Sequence, residues 1–244
     1  MQAAYRSTGQ SHSPRLMRWW ALVASIVVVV ALLLLLGVAL MRPLPVLATA
    51  PSYDLIDQSG LPIHDTDLRG RIALYDFIYT SCTTVCPVMT GQMLQIQSAL
   101  ADVGWLGNEV VLISITFDPE RDTPARLREY ATQMQARPDG WLWLTGDLIE
   151  IKQLVGGEFG VYFEKVGAGE GHAMHGMDEA GYDFVHDTTF TLVDDQGRLR
   201  AEYHSFPGLD VMMRDIGSLV REKNARGPMR LAWQAAHWLR GNAR

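Results

Sequence analysis

Cys82 and Cys86 are the only cysteines in this 244-residue chain, and they stand four positions apart near the end of the stretch Ile72 to Pro87, IALYDFIYTSCTTVCP. Two thiolates at that spacing can hold one soft metal ion between them, or the pair can close a small disulfide ring. The run before them is apolar and rich in aromatic and β-branched residues, which suits a strand buried on both faces of a sheet. After them Met89, Met93, Ile96 and Leu100 recur at helical spacing. The pair therefore sits where a central strand hands over to a helix, whose N-terminus stabilises anions, thiolates included. With the helix beginning near Thr83, both sulfurs fall on one side of its first turn. Asp76, between Tyr75 and Phe77, is the odd member of the strand. A carboxylate buried near two thiols would keep a raised pKa and relay protons as the site changes redox state. Alternatively it reaches a backbone amide or a neighbouring arginine at the strand edge.

The length suits one domain with appendages and enough apolar residues for a substantial core. Ala21 to Leu40 is free of charge and dominated by leucine and valine, preceded by Arg15, Arg18, Trp19 and Trp20. That pattern predicts a spanning helix over 21–41 with an aromatic interface belt. A cleaved signal peptide is the rival, because Ala48-Thr49-Ala50 resembles a processing site, but the apolar run exceeds the usual length and Pro51 would follow the cut. Arg6, Arg15 and Arg18 precede the run and only Arg42 stands shortly after it, so the positive-inside rule puts residues 1–20 in the cytoplasm and the globular part outside. For a bacterial chain this means a single-pass inner-membrane protein with its domain in the oxidising periplasm, where two cysteines drift toward a disulfide unless metal or a reductant holds them.

Residues 51–220 carry 11 Lys/Arg against 26 Asp/Glu, a net of −15, whereas 221–244 carry 6 Lys/Arg against one Glu, a net of +5. The acidic body argues against nucleic acid as a partner and would attract cations or basic protein surfaces. Residues 42–52, rich in proline and small residues, read as a short stiff linker. Tyr53 to Ile63 reads as a small hairpin around Gln58-Ser59-Gly60. Glu109 to Phe117 is a second buried strand, followed by a helix reaching about Gln135. Trp141 to Leu144, a helix capped by Asp147, and Val161 to Val166 come next. Phe184 to Val193 and Leu199 to His204 form a hairpin across Asp194-Asp195-Gln196-Gly197, and Leu209 to Val220 a final helix. This alternation predicts an α/β domain over 53–222, a sheet covered on both faces with the cysteines at the carboxyl end of a strand, as in thioredoxin-like folds, with an N-terminal hairpin and a preceding transmembrane helix.

Several motifs in order and spacing make the resemblance specific: the hairpin with Leu68-Arg69-Gly70, Cys82-x-x-x-Cys86-Pro87, Asp118-Pro119-Glu120-Arg121-Asp122-Thr123-Pro124, Leu144-Thr145-Gly146, and His186 at the late strand. From about Tyr53 to Val220 the chain resembles the Sco/SenC family of membrane-anchored, copper-binding proteins with a thioredoxin fold. The resemblance implies Cys82, Cys86 and His186 as copper ligands and a role in delivering copper to the binuclear centre of cytochrome c oxidase. Its implied partners are the copper-receiving oxidase subunit, and a thioredoxin-like reductant or another copper chaperone. Many members have Asp immediately before that histidine; here Val185 precedes it and Asp187 follows.

Two thiolates and an imidazole form a soft, incomplete set that Cu(I) accepts as it stands and Cu(II) with a further ligand. Structural zinc normally wants four protein ligands. Capture of copper requires reduced thiols. The plain alternatives are a structural disulfide between Cys82 and Cys86 and a hydrogen-bonded strand histidine at His186. His172, Met174, His175 and Met177 place two imidazoles and two thioethers within six residues, a cluster that could pass copper inward. The tail, 223–244, carries Met229, Ala232, Trp233, Ala236 and Leu239 on one face with arginines around them, fitting an interfacial or a docking helix. These features predict a metallochaperone rather than an enzyme. The alternative is a membrane-tethered thiol:disulfide oxidoreductase in which Cys82 and Cys86 are the redox-active pair.

Overall fold

The computed structural model describes residues 19–20, 22–32, 44–167 and 182–241, with the backbone alone over 228–241. The chain divides into two units, Met1–Pro43 and Leu44–Arg244. In the first, residues 22–32 form a helix, α1, whose valines and leucines are exposed. Among the described residues no helix is long and apolar enough to cross a membrane, and the span expected over 21–41 lies partly outside them.

The second unit is built on an eight-stranded mixed sheet of order β1-β10-β9-β4-β5-β6-β2-β3. Its strands are β1 (Ala48–Thr49), β2 (Asp54–Asp57), β3 (Pro62–His64), β4 (Ile72–Ile78), β5 (Val110–Thr116), β6 (Trp141–Thr145), β9 (Thr189–Val193) and β10 (Arg198–His204). β4, β5 and β6 run parallel, and β9 closes antiparallel on the other side of β4. Every residue of β4 and of β5 is buried, as their unbroken apolar runs required. Helices α2 (Cys86–Asp102), α3 (Pro124–Gln133), α4 (Leu148–Ile151, continued by a π-helical turn Lys152–Glu158) and α5 (Leu209–Gly241) complete the unit. Tyr75 and Phe77 of β4 meet Phe159 at ring-centroid distances of 5.3 and 5.1 Å, so the segment after α4 covers that face. α2 lies beside α3, through Thr90 Oγ1 and the Tyr130 hydroxyl at 3.3 Å, and beside α5. Met89 and Met93 of α2 are fully buried core residues. The thioredoxin-like arrangement and its N-terminal hairpin are therefore present.

Three features depart from the sequence expectation. The run Phe184 to Val193 is not one strand: it breaks at Asp187 and Thr188, and β8 (Tyr182–His186) leaves the main sheet to pair with β7 (Phe163–Gly167) in a separate ribbon. Asp187 N–H donates to Tyr162 O at 2.9 Å and Ser205 N–H to Thr188 O at 2.9 Å, so the hydrogen bonds on the two sides of the break belong to different sheets. The segment expected as a plain linker contributes β1 to the sheet edge, Ala48 opposite Leu199, and the carbonyls of Leu44 and Pro45 accept from the Arg200 guanidinium. α5 continues unbroken past Glu222 to Gly241, through the position where the basic tail was set apart. The side chains of that tail from 228 onward, like the whole of the His172 to Met177 cluster, lie outside the described residues.

Candidate metal centre

The cysteine turn is shaped by two local devices. Pro87 lies in the first turn of α2, where its missing N–H costs nothing, and the helix starts at Cys86 rather than near Thr83. Cys82 is left in the preceding turn, where the Cys86 N–H, one of the unpaired donors of the helix end, points at its sulfur at 3.3 Å. No acidic side chain occupies that first turn to oppose a thiolate. The Cys82 thiol is accordingly held far below the ordinary thiol range, first by the hydrogen bond from the Cys86 side chain and then by contacts including His186. Cys86, fully buried, is pushed the other way by burial and by the neighbouring Cys82 thiolate. The pair thus shares one proton, with the negative charge resting on Cys82.

The base of the turn is fastened from β5 and the loop behind it. Asp122 is buried, and its carboxylate accepts from Thr80 N–H at 2.9 Å, Thr80 Oγ1 at 2.5 Å and Thr116 Oγ1 at 2.6 Å. Burial raises its pKa against those three donors. Arg126 Nε adds a bond to Thr80 Oγ1 at 3.0 Å. The Asp118 to Pro124 motif carries no local sign of this task, because the contact joins residues 42 positions apart. Asp76 takes a contact from its own backbone amide, as one of its expected partners allowed, and among the described residues forms no ion pair with an arginine. It is fully buried and accepts from Ser114 Oγ at 2.5 Å, with Trp141 Nε1 donating in turn to that oxygen at 2.9 Å. Burial pushes its carboxyl up to about 7.

His186 reaches the site because β8 crosses over the carboxyl ends of β4 and β5. Its ring rests on Phe117 at 4.9 Å and stands edge-on to Tyr79 at 5.7 Å, while Phe163 and Phe184 pack around Phe117 at 5.1 and 5.2 Å. His186 Nδ1 lies 3.0 Å from the backbone carbonyl of Asp187. A carbonyl only accepts, so Nδ1 carries the proton and the Nε2 lone pair is left facing the cysteines. Nε2 is 3.6 Å from Cys86 Sγ, and the ligand atoms of Cys82, Cys86 and His186 all lie within 4.8 Å of one another. The backbone of Asp187, not its carboxylate, thus orients the ring. At metal–ligand lengths of roughly 2.0–2.3 Å, the edges of a trigonal site are about 3.5–4.0 Å long, so the three residues fit one small ion after slight contraction. Among the described residues this is the only such grouping of three or more metal-ligating side chains, and it lacks the fourth protein ligand of a structural zinc site. Its soft sulfur and imidazole donors match copper.

The family model described as SCO1/SenC matches residues 43–221. The chain belongs to the SCO1/SenC family. It is 30% identical over 149 residues to the SCO1 protein homolog of Bacillus subtilis, covering 61% of this chain and 69% of that one. Among solved structures it is similar to ScoI of Bradyrhizobium japonicum with copper bound, at 27% identity and a TM-score of 0.55, over 70% of this chain and 99% of that one. It is likewise similar to BsSco, described as having a disulfide switch and as a member of the Sco family of cytochrome c oxidase assembly proteins, at 26% identity and a TM-score of 0.59, over 73% of this chain and 98% of that one.

Proposed function

We propose that this chain is a copper metallochaperone that takes copper on Cys82, Cys86 and His186 and helps assemble the binuclear copper centre of cytochrome c oxidase. The observation that carries the reading is the convergence of two sulfurs and one imidazole nitrogen within 4.8 Å, from segments a hundred residues apart. The relatives with copper bound and with oxidase-assembly roles support it. The donor set suits cargo: two thiolates satisfy Cu(I), the imidazole adds a nitrogen ligand, and a set short of four leaves room for a recipient's ligands to enter and take the ion. Loading consumes the two thiols in their reduced form, so a reductant acting on a Cys82–Cys86 disulfide must precede it.

The copper-receiving partner on this reading is the oxidase subunit that houses the binuclear centre, with a thioredoxin-like reductant or a second copper chaperone upstream. The apolar stretch over 21–41 is assigned as the anchor in a bacterial inner membrane, with the domain in the periplasm. One observation favours a second, thiol:disulfide oxidoreductase role: a Cys82 of lowered pKa in the turn before the helix, beside a buried Cys86 at its start, is the arrangement of an attacking and a resolving thiol. The two roles separate in one titration. Reduced full-length protein is mixed with Cu(I), and separately with Cu(II), under a competing chelator, wild type against His186→Ala. Tight binding of either ion that the substitution weakens supports the chaperone, and equal binding of both ions or binding of neither points to the oxidoreductase.

A further inference from the structure

The Asp that many Sco proteins carry just before the metal-binding histidine is replaced here by Val185, which is 42% exposed, yet a carboxylate still reaches the site by another route. Asp183, three residues before His186, accepts a hydrogen bond from the Tyr79 hydroxyl, and its Oδ1 is held toward its own strand by the Phe184 N–H at 2.8 Å. Tyr79 is buried, and it touches every part of the centre. Its carbonyl accepts from the Cys82 N–H at 3.3 Å, its ring stands edge-on to His186, and its hydroxyl lies close enough to Cys82 to interact with that side chain. The preceding residue is fixed as well: Tyr182 donates to Asp118 Oδ1 at 3.0 Å, and its ring is sandwiched between Arg121 at 3.8 Å and Lys165 at 3.5 Å. The start of β8 is therefore pinned, and the Tyr79–Asp183 bond is the side-chain tie between the strand that carries the imidazole and the turn that carries the thiolates.

We infer that Tyr79 and Asp183 are positioning residues that set the distance from His186 to the two cysteines and thereby decide how well this site retains Cu(II) relative to Cu(I). The inference rests on the proposed copper site. Two thiolates already form an adequate pair for the soft Cu(I) ion, whereas Cu(II) is harder and draws more of its stabilisation from the imidazole nitrogen. A tie that fixes the imidazole therefore acts on Cu(II) and leaves Cu(I) nearly untouched. β8 is paired only with β7, outside the main sheet, and besides ring contacts and its own ladder the ribbon is fastened by the Tyr182 bond to Asp118 and the Lys165–Glu120 ion pair at 2.9 Å, so the Tyr79–Asp183 tie is the one that joins it to the cysteine turn.

The test uses the reduced full-length protein, handled anaerobically, as wild type, Tyr79→Phe, Asp183→Ala and the double variant. Cu(I) and Cu(II) affinities are measured by chelator competition, and the thiolate-to-Cu(II) absorption band and the Cu(II) electron paramagnetic resonance spectrum are recorded. Approaching the bond from both sides leaves one variant readable should the other misfold. The expected result is a Cu(II) affinity lowered roughly 10–100-fold in each single variant, the scale of losing an outer-shell partner, with Cu(I) affinity unchanged. The double variant should be no worse than the singles, because one bond is being removed twice. The Cu(II) spectrum should shift, which a merely structural loss would not cause. Variants that hold Cu(II) as tightly as wild type with the same spectrum, or single effects that add fully, overturn the inference. A wild type that binds neither ion overturns the copper reading itself, a failure visible before any variant is compared.

Discussion

The two ends of β4 solve opposite problems. At its amino end, Asp194 accepts from Gln196 N–H and Arg198 N–H, each at 3.0 Å, and from the guanidinium groups of Arg198 and Arg200 at 2.8 and 2.7 Å. Arg200, only 2% exposed, spends its remaining donors on Glu222 and on the carbonyls of Leu44 and Pro45. Burial raises the Asp194 pKa, but the two arginines outweigh it and hold the carboxyl below its ordinary range. Gly197, at φ 75°, closes the turn where a side chain would collide with Arg69. At the carboxyl end, a seven-residue strand and on the order of 20 Å away, three lone-pair donors converge on one another instead of on arginines. Saturating the charges of Asp194 and Arg200 fixes the sheet edge and the Leu44–Pro45 segment. A converging donor set held by rings and a pinned turn stores no such bond, and can therefore exchange its ion. Stability and function should be separable along this one strand.

The sharpest break is Cys82→Ser. It removes a thiolate while nearly preserving shape, so Cu(I) affinity should fall by more than the roughly 10–100-fold typical of outer-shell losses, while the denaturant midpoint of the metal-free protein barely moves. Arg200→Ala is the mirror experiment. It leaves Asp194 to Arg198 and two backbone donors but takes the buried guanidinium away from Asp194, Glu222 and the Leu44 carbonyl, and unfolding free energy should drop by about 1–3 kcal/mol with copper affinity unchanged. A copper affinity that fell tenfold in Arg200→Ala, measured well below its unfolding midpoint, would show that the two ends are coupled and that the division drawn here is wrong.

The same division governs what the sequence disclosed. The strand, the cysteine turn and the helix after it were legible because their signals are local: an unbroken apolar run, two cysteines, a proline and a 3.6-residue repeat. His186 was legible only through family resemblance, since nothing in its neighbourhood distinguishes a ligand from a strand histidine. The break at Asp187 and Thr188 was hidden, because residues on both sides have β-forming side chains and only the pairing partners differ. The grip of Asp122 on Thr80, the tie from Tyr79 to Asp183 and the docking of Leu44 and Pro45 on Arg200 are contacts between distant segments, which no window along the chain contains. Asp76 lies between these cases. Its burial was readable from the strand, but its partner Ser114 follows from the parallel register of β4 and β5, which sequence does not supply.

Asp76 also tests the comparison from inside the strand, because it is a buried acid with no arginine to match it. One of its oxygens accepts from Ser114 and the other has no hydrogen-bond partner. In the unfolded chain an aspartate titrates near pH 3.9, whereas burial places this carboxyl at about 7 in the fold. Between those values the native protein keeps a proton that the unfolded chain has released, so stability falls as pH rises from about 4 to 7 and levels off above. A shift of about three units corresponds to about 4 kcal/mol as an upper bound. Asp76→Asn cannot ionise and should escape that loss. Its amide brings an unpaired donor of its own, a cost that does not depend on pH, and Asp122 titrates alike in both proteins. The quantity to measure is therefore the difference in unfolding free energy between wild type and variant at pH 8, less the same difference at pH 4. It should favour the variant by up to about 4 kcal/mol. Parallel stability curves across that range would mean that Asp76 is charged and satisfied in the fold, and that this strand matches its buried charges along its whole length.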